Sequence, residues 1–146
     1  MNRGAHVAFS ALLGLVAAKL IAHDILYWYV GLLAGILAGL VPDTDLRWKH
    51  RMIMHNVFVA LGITLAVFFA GRFVSTTLSA VLGASSLLGF LGHVFLDSLT
   101  VRGVALLYPI RHRRYRLARL RSSSRVANVI IEVLSVLLII VALYAY

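Results

Sequence analysis

The sequence predicts an all-helical protein embedded in a membrane, built as a bundle of about five spanning helices. Hydrophobic residues make up 62% of the 146 residues, charged residues make up only 13%, and the mean hydropathy is +0.95. A soluble domain of this size could not bury so much apolar surface. The apolar residues also gather in stretches close to the roughly 20 residues that cross a bilayer. We therefore expect a single membrane-embedded domain over residues 1–146, with a basic cytoplasmic loop at residues 98–125.

The apolar stretches define the spans in chain order. The predicted spans are 5–22, 26–41, 57–74, 78–97 and 126–146. The second is short for a bilayer, and the third ends close to Arg72. The first could also be a cleavable signal peptide. Cleavage would remove His6, and four further apolar stretches follow, so we predict a retained span.

The basic residues predict the orientation, because Lys and Arg in short loops stay on the cytoplasmic side. With the N-terminus inside, twelve of the fourteen basic residues fall on the inner side, and only Lys19 and Arg72 fall outside. Tyr27, Trp28 and Tyr144 then lie at outer span ends, where aromatic residues are favoured. We predict a multi-pass protein of the cell membrane with a cytoplasmic N-terminus.

Most of the acidic residues and histidines gather at the predicted inner face. Charged groups near hydrocarbon are costly, so such a cluster is a functional candidate. Nitrogen and oxygen donors from separate helices commonly build metal sites in bundles. His23 and Asp24 lie some 17 residues from His6, about 25 Å along a helix, and belong to a solvated turn at the other face. The candidate residues are His6, Asp43, Asp45, His50, His55, His93 and Asp97.

His93 and Asp97 form the tightest local pattern. Residues four apart share a helix face, so an imidazole nitrogen and a carboxylate oxygen can converge on one cation. The alternative is that the two side chains pair with each other inside the bundle. His6 begins span one on the same side, although an interfacial histidine without a ligand role is also compatible with its position.

The segment after span two carries two further carboxylates. Pro42 limits helix continuation, and an extended exit would direct Asp43 and Asp45 to one centre. The alternative is a solvated loop in which one Asp caps the next helix. If residues 47–56 are helical, Arg51 and His55 share a face, with His55 suited to a metal and Arg51 to a phosphate oxygen. Anchoring against anionic lipid is an equal alternative for Arg51, and His50 is a weaker ligand candidate than His55.

Two features of other spans bear on this cluster. Glu132 lies one to two turns inside span five, where an ion pair with a loop arginine is favoured over metal contact. Gly31, Gly35 and Gly39 recur every four residues and predict close helix packing, within the monomer or in a homo-oligomer.

The chain resembles the YdjM-like, LexA-regulated family of membrane-bound, metal-dependent hydrolases over nearly its whole length. The motifs that carry the resemblance are an early His6, Pro42-Asp43-Thr44-Asp45, the His50-Arg51 to His55 element, His93 to Asp97, and then Thr100, Gly103 and Tyr108-Pro109. Met52 stands where the family has Gly, and Asn56 stands where it has Ser. The resemblance implies a divalent metal, with zinc ahead of manganese or magnesium, and hydrolysis of a phosphoester.

Such a site at head-group level suggests a lipid phosphate or a lipid-linked substrate. The metal ligands would be His6, Asp43, Asp45, His55, His93 and Asp97, with His50 and Glu132 as possible additions. Asp45 and Arg51 would act in catalysis, since an arginine can stabilise the charge that develops on phosphate. Basic loop residues favour anionic head groups, and no nucleic-acid partner is expected because no soluble domain is predicted. The residues assigned to phosphate or lipid contact are Arg102, Arg111, Arg113 and Arg114.

Two other classes of function compete with a hydrolase. The cluster could be a structural ion-pair or metal site in a non-catalytic membrane protein whose arginine loop binds anionic lipid or a partner protein. A catalytic metal needs an open position for water, whereas a structural metal is closed. An ion or proton carrier ranks third, because it would need ionisable residues throughout the bilayer and here they gather at one face.

Overall fold

A computed structural model describes residues 1–45 and 53–144, and it confirms the all-helical bundle. The helices are α1 (Arg3–Ile21), α2 (Ile25–Leu40), α3 (Val57–Arg72), α4 (Thr76–Ser98) and α5 (Arg125–Tyr144), and a 3-10 turn, Val41–Asp45, continues α2. Four of them, with α2 counted through its turn, are long and apolar enough to cross a membrane. The exception is α3, whose 16 residues extend about 24 Å.

Small residues allow α1, α2 and α4 to form the tightly packed centre of the bundle. Gly35 lies against the backbone of Gly14 on one side and of Gly89 on the other. The hydroxyl of Ser10 donates to the Gly89 carbonyl at 2.8 Å, and Ser85 donates to the Gly14 carbonyl at 2.9 Å. These interhelical bonds satisfy polar groups that hydrocarbon cannot. Backbone proximity and side-chain bonds together set the height of each helix relative to the others.

The glycine stripe of α2 is used inside the chain. A side chain added at Gly31, Gly35 or Gly39 would meet atoms of α1, including Ala18, Gly14 and Ser10 respectively. The structure therefore shows that this stripe packs helices together within one chain. A homo-oligomer stays a prediction, and it would have to use another face of the bundle.

The outer helices are held by capping side chains and by packing on this centre. Asn2, Asp24, Asn56 and Ser75 accept hydrogen bonds from backbone N–H groups in the first turns of α1 to α4. Such caps satisfy donors that have no partner within the helix. Helix α3 packs against α4, and α5 packs against α1.

The basic loop after α4 folds back onto one end of the bundle. Thr100 bridges to Leu120, and Val104 bridges to Tyr115. Val104 is fully buried in a cluster with Phe90 and Val94 of α4. The loop is therefore attached by apolar packing, while its arginines remain at the surface.

Candidate metal centre

Five side chains from separate segments converge at one end of the bundle. His6 comes from the first turns of α1, Asp43 from the 3-10 turn, His55 from the bend before α3, and His93 and Asp97 from the last turns of α4. In each of two groups of three residues, the donor atoms all lie within 4.8 Å of one another. One group is His6, His93 and Asp97, and the other is Asp43, His55 and His93. The two groups share His93, so they form one cluster.

The donor atoms have the separations that a metal would require. His6 Nε2 lies 3.3 Å from Asp97 Oδ1, and His55 Nε2 lies 3.4 Å from Asp97 Oδ2. His93 Nε2 lies 3.7 Å from Asp43 Oδ1 and 3.8 Å from Asp97 Oδ2. Two ligands bound at about 2.1 Å in a tetrahedron are about 3.4 Å apart. The cluster is thus close to the size of a first coordination sphere.

A backbone carbonyl orients the central histidine. His93 Nδ1 lies 2.7 Å from the Gly39 carbonyl oxygen, so in the neutral ring Nδ1 carries the proton and donates it. Nε2 is then the lone-pair nitrogen, and it is buried without a hydrogen-bond partner among the described residues. Metal-binding histidines usually have one ring nitrogen fixed by such a bond. The donor set therefore fits a divalent metal, with imidazole and carboxylate ligands of the kind that zinc takes.

The other two histidines are held against His93. The ring of His6 stacks on the ring of His93 with centroids 3.8 Å apart, and the ring of His55 meets it edge-on at 5.3 Å. The three rings are therefore packed together at the cluster, and histidine nitrogen is a common ligand of zinc.

Asp97 is the most connected carboxylate of the cluster. Its Oδ1 also lies 3.2 Å from the amino group of Met1. The Thr100 hydroxyl donates to the Asp97 backbone carbonyl at 2.8 Å. The Met1 amino group compensates the buried carboxylate, because isolated charge is costly in a low dielectric. Asp97 therefore anchors the cluster to the amino-terminal segment and to the start of the loop.

Access to the cluster differs among its members. The side chains of His6, His55, His93 and Asp97 are at most 3% exposed, whereas that of Asp43 is 26% exposed. Within residues 1–45 and 53–144, the Asp43 edge is thus the accessible side. A small molecule that approaches the cluster would meet Asp43 first.

Local structure corrects two expectations from the sequence. The exit from α2 is a 3-10 turn and not an extended segment. The prediction that an extended backbone directs Asp43 and Asp45 to one centre is therefore wrong. Residues two apart in a 3-10 helix lie about 120° from each other around the axis. Residues 53–56 form a bend and α3 begins at Val57, so His55 precedes the helix instead of lying on its face.

Three predicted site residues fall outside the described part of the chain. His50 and Arg51 belong to residues 46–52, and the side chain of Asp45 is likewise outside it. Their roles stay predictions.

The remaining predicted residues do not belong to the two donor groups of the described part of the chain. Glu132 lies against Gly4 of α1, and its Oε1 is buried without a hydrogen-bond partner among the described residues. His23 and Asp24 lie at the other end of α1, where Asp24 caps α2. The loop residues assigned to phosphate or lipid contact are all exposed: Arg102, Arg111, Arg113 and Arg114.

Sequence reasoning missed three features of the site. They are the Gly39 carbonyl, the amino group of Met1 and the apolar docking of Val104. A backbone carbonyl is present at every position, so its role emerges only from the packing. Val104 was detectable in principle, as an apolar residue inside a basic loop.

Comparison with known proteins agrees with this architecture. The description of the matching family is YdjM inner membrane protein, and the match covers residues 1–146. No curated protein and no solved structure matches the chain. With its apolar helices and its histidine and aspartate cluster at one end of the bundle, the chain belongs to the YdjM family of inner membrane proteins.

Proposed function

We propose that the protein is a membrane-bound, metal-dependent hydrolase whose site lies at the cytoplasmic face and acts on a phosphoester. The observation that carries the proposal is the convergence of five donor side chains at separations of 3.3 to 3.8 Å. The distribution of basic residues favours the cytoplasmic side for this end of the bundle. The resemblance of the chain's His and Asp motifs to the YdjM-like family supports the same assignment.

His6, Asp43, His55, His93 and Asp97 would hold the metal, with zinc favoured over manganese or magnesium by the imidazole content. A bound divalent ion would lower the pKa of its water and polarise a phosphoryl oxygen. Hydrolysis forms a bond from water oxygen to phosphorus, breaks the ester bond, and leaves a proton on the departing alcohol. Asp45 and Arg51 stay candidates for handling that proton and the phosphate charge.

The position of the cluster supports a substrate at head-group level. Asp43 is its exposed edge, and the adjoining loop carries exposed arginines that suit an anionic phosphate. Basic residues near a membrane surface contribute about 1 kcal/mol each to binding of anionic lipid. A phospholipid or a lipid-linked phosphate is therefore the substrate class we favour.

A structural role for the cluster is the second candidate. Asp97 has the Met1 amino group and three histidines as neighbours, and this arrangement could stabilise the bundle without a metal. In that case the arginine loop would bind anionic lipid or a partner protein without catalysis.

Metal analysis separates the two candidates. The parent protein and a His93→Ala, Asp97→Ala double variant would be purified in detergent without a histidine tag and analysed by mass spectrometry. If the protein is a hydrolase, we expect near-stoichiometric zinc or manganese in the parent, loss of metal in the variant, and hydrolysis of one phosphoester bond in phospholipid or lipid-phosphate substrates by the parent alone. No metal in the folded parent, even after reconstitution, would leave only the structural role.

A further inference from the structure

An apolar groove runs between α2 and α3 toward the exposed edge of the metal cluster. Its walls include Ala34 and Val41 from the α2 side and Ile63 and Val67 from α3, and Ser86 of α4 lies at its floor. Its volume is about 180 Å³. The groove exists because α2 and α3 both pack on α4 instead of on each other.

One end of the groove lies at Val41, where the 3-10 turn that carries Asp43 begins. Val41 lines it and lies two residues before Asp43, whose side chain is the exposed edge of the cluster. On α4, Ser86 and His93 are seven residues apart, which places them on one helix face about 10 Å from each other. The groove therefore lies on the face of α4 that carries His93, about two helical turns from the cluster.

The chemistry of the groove identifies its occupant. Leu37 also lines it and is 66% exposed, so the groove opens toward the bilayer. Within a bilayer, an open apolar groove is filled by hydrocarbon, because water finds no polar partners there. At the end of the bundle that carries the cluster, the exposed arginines of the loop complement an anionic head group.

We propose that this groove binds one acyl chain of an anionic membrane phospholipid, whose phosphate then lies at the Asp43 edge of the cluster. The inference rests on the proposed function, because it names the lipid class that the metal site would act on. It assigns substrate selection to the chain length that fits between α2 and α3. A shorter or unanchored phosphoester would lack this contact.

A second cavity provides a matched control. It measures about 380 Å³, lies between α3 and α4, and includes Thr64, Phe68 and Ala84 in its lining. Although it is larger, none of its lining residues is within two positions of a cluster residue. The same Ala→Leu substitution can therefore be made in both cavities, at Ala34 and at Ala84.

Photo-crosslinking tests the groove without reference to activity. Detergent-purified protein, treated with a chelator, would be mixed with an equimolar phosphatidylglycerol that carries a diazirine in one acyl chain, and adducts would be mapped by mass spectrometry. We expect adducts on residues 34–41 and 63–67. Ala34→Leu should lower their yield about tenfold, which corresponds to about 1.4 kcal/mol of binding free energy, whereas Ala84→Leu should leave it unchanged.

A second groove-filling variant helps to distinguish loss of lipid binding from misfolding. Ser86→Leu reduces the same groove from its floor, and size-exclusion profiles and helical circular dichroism would identify folded variants. Equal labelling of the parent and both filled variants, or labelling spread evenly along α5, would overturn the proposal. If the groove is labelled in a parent protein that binds no metal, the hydrolase proposal fails and the lipid site stands. Failure of the proposed function and failure of the lipid site therefore give different results.

Discussion

The ring of His93 is tied to the last turn of α2 by its hydrogen bond to the Gly39 carbonyl, at 2.7 Å. Carbonyl groups at a helix C-terminus lose their partners within the helix, so this oxygen is available to a side chain of a neighbouring helix. The absence of a side chain at Gly39 allows Ser10 of α1 to approach on the adjoining side. One residue thus contributes both to the orientation of His93, the central candidate ligand, and to the close approach of α1.

Asp43 should contribute to metal affinity, because it is the exposed carboxylate of the donor cluster. Asp43→Asn should weaken metal retention about tenfold or more, since even outer-shell changes at metal sites cost 10–100-fold. Competition with a chromogenic chelator would measure the change. Asp24→Asn at the other end of the bundle is the matched control, because Asn caps a helix as well as Asp does. Equal retention in both variants would remove Asp43 from the ligand set.

Gly35 should be intolerant of any side chain. An added Cβ would lie 2.5 Å from the Ser10 carbonyl oxygen and 2.9 Å from the Gly14 Cα. Gly35→Ala should lower the free energy of unfolding by about 1–3 kcal/mol through overpacking, measured as a lower Tm in detergent.

Gly62→Ala should have the opposite effect on stability from Gly35→Ala. Nothing lies within 4 Å of a Cβ placed there, and the residue is inside α3. Gly62→Ala should therefore stabilise the protein by about 0.5–1 kcal/mol, because alanine loses less backbone entropy in a helix. A lower Tm for Gly62→Ala than for Gly35→Ala would contradict this description of the packing.

Asn56 should act as a helix cap in place of a hydroxyl residue. Its Oδ1 accepts from the N–H groups of Phe58 and Val59, each at 3.0 Å. Asn56→Ala should cost about 0.5–2 kcal/mol in stability, and Asn56→Ser should cost much less, since Ser is a comparable cap. Thermal unfolding of the two variants measures the difference. Equal destabilisation by Asn56→Ala and Asn56→Ser would show that the amide itself is required and would contradict the capping role.

Gly103 should hold the basic loop in its docked form. Its φ is +61°, and a Cβ there would lie 2.6 Å from the Tyr115 carbonyl oxygen. Gly103→Ala should release the loop, because most L-residues disfavour this backbone region. Limited trypsin digestion, which cuts after the loop arginines, should become several-fold faster. Unchanged cleavage beside unchanged stability would show that the loop does not depend on this turn.

The five-span topology can be tested with single cysteines, because the chain contains none. With the predicted orientation, Ser123→Cys should react with a membrane-impermeant maleimide only after the cells are opened, and His23→Cys should react in intact spheroplasts. Ser75→Cys should behave like His23→Cys if the 16-residue α3 crosses the bilayer. Labelling of Ser75→Cys from the cytoplasmic side would instead make α3 a re-entrant helix.

The sequence predicts the fold well because bilayer thickness limits helix length, and the predicted spans differ from the observed helices by only a few residues. It also predicts which side chains meet, because the spans alternate in direction and bring His6, His93 and Asp97 to one end. It fails at the exit from α2 and before α3, where short-range backbone geometry decides direction. No periodic pattern distinguishes a 3-10 turn from an extended segment over five residues.

The two ends of α5 are attached to opposite ends of α1. At one end the Asn128 Oδ1 accepts from the backbone N–H of Asn2 at 3.0 Å, and at the other Lys19 Nζ donates to the Ala142 carbonyl. A helix fixed at both ends cannot slide along the bilayer normal relative to its neighbour. Since His6 is carried by α1, the attachment of α5 also restrains the position of this candidate ligand along the bundle axis. In this way α5, which contributes none of the five donor side chains described above, would help to keep those side chains at the same height in the bundle.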